Sequence, residues 1–325
     1  MADQNSIQQS IAPELEALNA RIRKQLGSNS PLMDTVIDTY LRKKGKQLRP
    51  IVVILTAKML GQVNDSTLAA AAAVELLHNA SLIHDDVIDN SMTRRSEPTI
   101  NSIWDNHIAV LVGDFFVSSA MQQAIATGDI RVIDSLCYLG KLLSLGELDQ
   151  IYNARHHHLS EDAYFHIIEY KTASLFVACA KMGCATVGAD EATTERLSEF
   201  ARLMGLCFQI RDDIYDYYSH DIGKPTGNDL REGKITLPLL HALLTADAPR
   251  HDEMLALSAK EMLSDSEIAT LLSYAIEQGG IDYAYDRMAE LRDRAAAILA
   301  DFPTSQASES LLALFDQIVA RPEKI

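Results

Sequence analysis

Apolar side chains recur along this chain at intervals of three and four. That period predicts helices over residues 51–60, 67–89, 107–125, 131–155, 162–182, 191–219, 235–246, 266–278, 281–300 and 308–320, stretches rich in Ala, Leu, Met, Glu and Gln. No segment alternates as a strand should, and "IVVIL" (Ile51–Leu55) is the one run that either state could claim. The punctuation agrees: Gly279-Gly280 stops one helix, Pro303 follows another, and Ser264 and Ser266 offer N-caps. The loosest stretch, Ser219 to Pro238, is glycine- and proline-containing, but no comparable linker divides the chain and no solenoid period appears. The expected fold class is all-α: a single multi-helix domain over residues 1–325.

Composition sharpens this only at a few points. With 325 residues, 47% hydrophobic and 23% charged, the chain has an ordinary globular balance and can bury a large core. A net charge of −16 argues against a nucleic-acid partner, although a local basic cluster can still hold an anionic substrate. Cys137, Cys179, Cys184 and Cys207 follow no metal-ligand spacing and read as free thiols in apolar surroundings, for which a reducing cytoplasm is the expected compartment. "MADQNSIQQS" lacks the basic and apolar regions of a targeting segment, and no uninterrupted run of 18 apolar residues suggests a membrane span.

Two acidic clusters interrupt the apolar helices. "LIHDDVIDN" carries Asp85, Asp86 and Asp89; "FQIRDDIYDYY" carries Asp212, Asp213 and Asp216. Carboxylates four apart on a helix stack about 6 Å from each other along the axis, where like charges repel. A hard divalent cation relieves that repulsion, and Mg²⁺ in particular binds through one or two carboxylates plus substrate phosphates. Polar stripes extend each cluster: His78, Ser81, Asp85 and Asp89 on one helix, and Gly205, Gln209, Asp212 and Asp216 on the other. If the metal meets a polyanion, cations belong nearby. "GKQLRP" offers Lys46 and Arg49, "RRSEPT" offers Arg94 and Arg95, "YKTASLF" offers Lys171 and Thr172, and the glycine-containing loop offers Lys224 and Lys234. Arginine forks suit phosphate oxygens, and lysines supply mobile point charges that could close over a diphosphate.

The ordered set GKQLRP, HDDVID, RRSEPT, GDFF, GELDQ, KTASLF, GLCFQIRDDIYD, GKPTGNDL and GKITLP, spanning Gly45 to Pro238, resembles the trans-type polyprenyl diphosphate synthases. The resemblance implies an isoprenoid-synthase bundle around a deep central cavity, a homodimer, and Mg²⁺-dependent head-to-tail condensation of isopentenyl diphosphate onto an allylic diphosphate, with three ions per site. By position, Asp85, Asp89 and Asp212 correspond to metal ligands, with Asp86, Asp213 and Asp216 in support. Lys46, Arg49, His78 and Arg95 correspond to the isopentenyl diphosphate site; Arg94, Lys171, Thr172, Gln209, Lys224 and Lys234 to the allylic diphosphate site. Ser96 stands where the family usually has glycine. Asp85, Asp86, Asp89, Arg94, Lys171, Asp212, Asp213 and Lys224 are the expected catalytic set.

Ionisation is the physical core of such chemistry. Charge on the departing diphosphate must be neutralised, and the allylic cation must be kept from water. No conventional protein base stands out, and the released diphosphate is the expected proton acceptor. Ala80 and Ser81 lie about one turn before the first cluster, where short-chain relatives usually carry an aromatic stop. These small residues point to a long product, around octaprenyl; Phe115 or Phe116 setting an earlier, farnesyl or geranylgeranyl, floor is the competing expectation. A class I terpene cyclase lacks the second aspartate cluster and second diphosphate site. A phosphohydrolase using His84 and Asp85 leaves the second cluster unexplained, and a non-catalytic partner subunit would not keep both clusters intact. His156–His158 read as a surface loop. Glu147 and Gln150 read as orienting or structural residues, and Trp104 as core or interface.

Overall fold

The computed structural model describes residues 4–41, 45–94, 97–218, 226–245, 250–260 and 262–321, and the chain is 80% helical. The elements begin α1 (Gln4–Ser10), α2 (Ala12–Leu26), α3 (Pro31–Leu41), α4 (Leu48–Leu60) and α5 (Asp65–Ile88). A two-residue-per-strand hairpin follows, β1 (Thr93–Arg94) and β2 (Glu97–Pro98), antiparallel with Thr93 opposite Pro98 and Arg94 opposite Glu97. Then come α6 (Ile100–Ile103), α7 (Asn106–Ala126), α8 (Ile130–His156), α9 (Glu161–Ile168), a π-helical turn (Glu169–Ala173), α10 (Ser174–Thr186) and α11 (Glu191–Tyr215). The chain ends in α12 (Asn228–Arg231), α13 (Leu237–Leu244), α14 (His251–Ser258), α15 (Asp265–Glu277), α16 (Gly280–Ala300) and α17 (Gln306–Val319).

Two compact units result, neither of them one contiguous stretch. The first comprises Met1–Lys141, Leu175–Ala201 and Ile298–Leu314; the second comprises Leu142–Ser174, Arg202–Ala297 and Phe315–Ile325.

In the first unit α5 is the central element, packed on α2, α4 and α7. It starts in a capping box, where the Asn64 side chain accepts the Thr67 N–H at 2.9 Å and the Thr67 hydroxyl receives the Asn64 N–H. Ala69–Ala73 follow, strong helix formers that are fully buried and small enough for neighbouring helices to come close. The ambiguous IVVIL run is helical, within α4. Its side chains are buried all round, so no polar face was available to reveal the period. α5 and α7 are long and apolar enough to cross a membrane, with 67% and 44% of those stretches buried inside the protein.

In the second unit α15 opens on a Ser264–Glu267 capping box and ends at Gly279, whose φ of 74° is the left-handed C′ conformation that glycine adopts without penalty. The next residue must also be small: a Cβ on Gly280 would fall 2.1 Å from the Pro238 carbonyl oxygen. Cys179, Cys184 and Cys207 are buried, and burial pushes their thiols up, Cys184 to about 11; Cys137 on α8 is exposed.

α1, α2, α3 and α14 fall outside the expected helical ranges, and two expected helices differ from the structure. Residues 162–182 form α9, the π turn and α10 rather than one continuous helix, and α11 stops at Tyr215 rather than 219. The π turn coincides with a close approach of α8, and Asp216 leaves the helix to bond elsewhere, as described below.

Candidate active site

The first acidic cluster lies at the C-terminal end of α5, in the first unit. Asp85 is half-buried, Asp86 buried, and Asp89 exposed at the C-cap. Asp86 accepts the Arg94 Nε–H at 2.8 Å, so the hairpin that follows the helix is tied back to the cluster by charge. His84 turns its ring towards α7. Its Nε2 lies 3.3 Å from the Val110 carbonyl and 3.6 Å from Asp114, in a niche where a Cβ on Gly113 would collide with the ring. A hydrolase centre built on His84 with Asp85 therefore finds no support.

Deeper in the same helix, His78 is buried and accepts the Ser81 hydroxyl on its carbonyl at 2.9 Å; Ala80 is fully buried and Ser81 half-buried. The GKQLRP turn enters α4 through Gln47 at φ 51°, a left-handed conformation costly for a side chain and steadied by its bond to Asn19 at 3.1 Å. That turn leaves Lys46 exposed and sets Arg49 half-buried, with its guanidinium 5.3 Å from the Phe176 ring centre.

The second cluster ends α11, in the second unit, and its three carboxylates do three different things. Asp212 is exposed, with one oxygen held at 2.8 Å by Arg211. Asp213 is buried and accepts the Tyr164 hydroxyl at 2.6 Å and the Gln209 amide at 2.7 Å. Burial raises its carboxyl to about 7, against the lowering effect of those two hydrogen bonds; the charges of Asp212 and Asp216 raise it further. Asp216 lies just past the helix, and its two oxygens accept the backbone N–H groups of Asn228 and Asp229, each at 3.0 Å. A carboxylate at the start of α12 is what an N-terminus with unpaired N–H groups attracts.

Beside Asp213 lies a cavity, open to solvent and lined wholly by residues of the second unit. Lys171, Thr172, Gln209 and Lys234 line it, four of the residues expected to meet the allylic diphosphate. The Thr172 hydroxyl donates to the Gln209 carbonyl oxygen at 2.6 Å, so a chain of bonds runs from Thr172 through Gln209 to Asp213 and Tyr164. Tyr164 was not anticipated, although it stands seven residues before Lys171, two helical turns along one face. His157 and His158, read from sequence as a surface loop, also line the cavity, whereas His156 stacks on Tyr152. Half-buried Asp229 lines it too, its carboxyl raised well above the usual range first by desolvation and then by Asp213 and Asp216. Arg95, Ser96 and Lys224 lie outside the described residues.

The acidic residues fit a magnesium ion by their chemistry. Both clusters offer carboxylate oxygens of graded exposure, hard donors that suit Mg²⁺ rather than a soft metal. Among the described residues no three His, Cys, Asp or Glu side chains converge into a closed cage, and Mg²⁺ does not need one where phosphate oxygens and water complete its octahedron.

Comparison with known proteins agrees with this geometry. Residues 30–275 match the family described as polyprenyl synthetase. The octaprenyl diphosphate synthase of Haemophilus influenzae is 33% identical over 313 residues, covering 95% of this chain and 94% of that protein. The polyprenyl synthase of Caulobacter crescentus, solved with calcium and isoprenyl diphosphate, superposes with a TM-score of 0.92 at 32% identity, over 98% of each chain. The geranylgeranyl pyrophosphate synthase of Bacteroides thetaiotaomicron superposes with a TM-score of 0.85 at 36% identity, over 98% of this chain and 100% of that one. With its two aspartate clusters, its lysine-lined cavity and its all-α fold, the chain belongs to the polyprenyl synthetase family of prenyl-transferring enzymes.

Proposed function

We propose that this enzyme condenses isopentenyl diphosphate with an allylic diphosphate, head to tail, to build a long all-trans polyprenyl diphosphate of around eight units. The observation that carries the reading is the cavity where Lys171, Thr172, Gln209 and Lys234 stand beside Asp213 of α11. That is a polar, cationic anchor for a diphosphate, set against the helix end that carries the second aspartate cluster. Asp85, Asp89 and Asp212 are the ligands in this reading, with Asp86, Asp213 and Asp216 in support and three Mg²⁺ per site. When bound, Mg²⁺ would supply Lewis-acid neutralisation of the leaving diphosphate.

The chain's own residues do the rest. Lys171, Lys234, Lys224 and Arg94 bind the allylic diphosphate and stabilise charge as its C–O bond breaks. Lys46, Arg49, His78 and Arg95 bind isopentenyl diphosphate, so that its double bond attacks the allylic cation rather than water doing so. Asp86 and Asp213 orient rather than bind, because their oxygens already accept Arg94 and the Tyr164–Gln209 pair. The proton lost after condensation passes to the released diphosphate.

Small residues at Ala80 and Ser81, on the helix that carries the first cluster, support a long product. The likeness to a geranylgeranyl synthase keeps a short product as the second reading. The homodimer belongs to the same proposal and draws on unit one. Val110, Leu111, Met121 and Ile125 on α7, with Ile130 and Tyr138 on α8, are exposed, Leu111 by 64% and Ile130 by 72%, an apolar surface that a second copy would cover. A cytoplasmic enzyme with no membrane span and a lipophilic product completes the picture.

The test is chromatography of radiolabelled products from isopentenyl and farnesyl diphosphates with Mg²⁺. Products near eight units are expected. Products stopping at four units favour the second reading, and hydrocarbon from the allylic substrate alone would mark a cyclase.

A further inference from the structure

We infer that Glu147 is a positioning residue for the prenyl transfer, fixing the ammonium group of Lys171 at the cavity wall with Gln150 as its second clamp. This rests on the reading of Lys171 as a ligand of the departing diphosphate. The Lys171 ammonium pairs with Glu147 and donates to the Gln150 side-chain oxygen at 3.2 Å, while the Gln150 amide donates to the other Glu147 oxygen at 3.3 Å. The three side chains close a triangle in which each Glu147 oxygen accepts one bond. Lys171 and Gln150 line the cavity, and Glu147 does not. Glu147 stands behind the lysine, so it reaches a cavity occupant through Lys171.

An ordinary surface ion pair would contribute little. This one is withdrawn from water, with 16% of the Glu147 side chain and 28% of the Lys171 side chain exposed, and it has a third member. An ammonium has three N–H donors. Two are occupied here, and the third is left for an anion in the cavity, so the charge is aimed before substrate arrives.

The backbone is arranged for the same contact. A Cβ on Gly146 would stand 2.9 Å from the Lys171 backbone nitrogen and 3.2 Å from its Cα, so glycine is what lets α8 lie against the turn that carries the lysine. That turn is the π-helical one, Glu169–Ala173, an irregularity common at functional sites. In the run GELDQ, the glycine admits the turn, and the glutamate and glutamine, three apart on one helix face, grip its lysine.

The experiment is a double-mutant cycle. Steady-state rates with isopentenyl and allylic diphosphates are measured for Glu147→Ala, Glu147→Gln, Lys171→Ala and Lys171→Ala/Glu147→Ala, each checked for native helicity and melting. Glu147→Ala is expected to lower kcat roughly 10- to 100-fold with KM for the allylic substrate little changed. Glu147→Gln, which keeps an acceptor for the ammonium, is expected to recover part of that loss, and the double variant to be no slower than Lys171→Ala alone. If Glu147→Ala does not fold, Glu147→Gln and Gln150→Ala carry the same cycle against Lys171→Ala. Multiplying losses in the double variant, or an unchanged kcat with a lower KM, which would make Glu147 a competitor for the lysine, overturns the inference. A fully active Lys171→Ala overturns the reading of the lysine itself; an impaired Lys171→Ala beside a normal Glu147→Ala overturns only the role of Glu147.

Discussion

Replacing Tyr164 with Phe removes one hydroxyl and keeps the ring in place, and it leaves the buried Asp213 carboxyl without the donor that approaches it at 2.6 Å. Asp213 titrates near 7 in the folded chain against an ordinary 3.8, so the folded state binds this proton more tightly than the unfolded state. Its contribution to stability is complete below 3.8 and is lost as pH rises through 7. The Tyr164 hydroxyl bonds the charged form and limits that loss; without it the carboxyl rises further. Near pH 4.5 only a neutral hydrogen bond is missing, a deficit of about 0.5–1.5 kcal/mol, whereas at pH 8.5 a bond to a buried charge is missing, about 1.5–3 kcal/mol. At of order 2 °C for each kcal/mol, melting of chelator-treated wild type and variant side by side from pH 4.5 to 8.5 resolves the difference. The gap in melting temperature is expected to widen as pH rises. A constant gap, or one widest in acid, would refute the assignment of Asp213 as the group behind it.

Three further outcomes follow from geometry already described. Ser81→Phe is expected to shorten the longest product seen by chromatography; Ser81 is the better site for this test because Ala80, fully buried, would be overpacked by a ring, and unchanged products would remove residues 80 and 81 from length control. Gly280→Ala should destabilise the fold by about 1–3 kcal/mol or more in a denaturant titration, since its Cβ meets the Pro238 carbonyl at 2.1 Å; a neutral result would mean that the α15–α16 junction yields freely. Lys260, then Ser264, hold Glu267 down to about 2, so its contribution is present above its ordinary 4.5 and is lost as pH falls towards 2. The melting difference between wild type and Glu267→Gln should therefore shrink on acidification from pH 5 to 3, and a difference that grows would contradict the capping box.

The helices were legible because their local signals are strong: the Ser264 cap, the Gly279 stop and the apolar period of α5, α7 and α11 can each be read within a few residues. α1, α2, α3 and α14 went unread although α2 carries a local stripe of its own, Leu18, Ile22 and Leu26; the rest of what escaped depends on contacts between distant segments. The π turn at Glu169–Ala173 carries no breaker of its own and answers to Gly146, more than twenty residues earlier. Asp216 looked like the last member of a helical stack, yet its carboxylate is taken by backbone N–H groups of Asn228 and Asp229, a link that no helical period contains. The candidate site divides in the same way. The spacing of the aspartates marked both clusters, but only the fold separates exposed Asp212 from buried Asp213, and only the fold brings Tyr164 onto the carboxylate that Gln209 reaches from one turn earlier in the same helix. Identical side chains in one short motif thus take different roles through solvent access, a quantity that sequence spacing does not encode.

The burial of three of the four thiols has a practical corollary. Cys179, Cys184 and Cys207 are shielded and held protonated, so a maleimide dye offered to the native chain should attach at Cys137 alone, next to exposed Tyr138 on α8. Without any engineered handle, the protein therefore carries one addressable sulfur on the apolar stretch proposed to meet a second copy. Labelling stoichiometry and dye self-quenching at that atom would register each act of pairing and of separation.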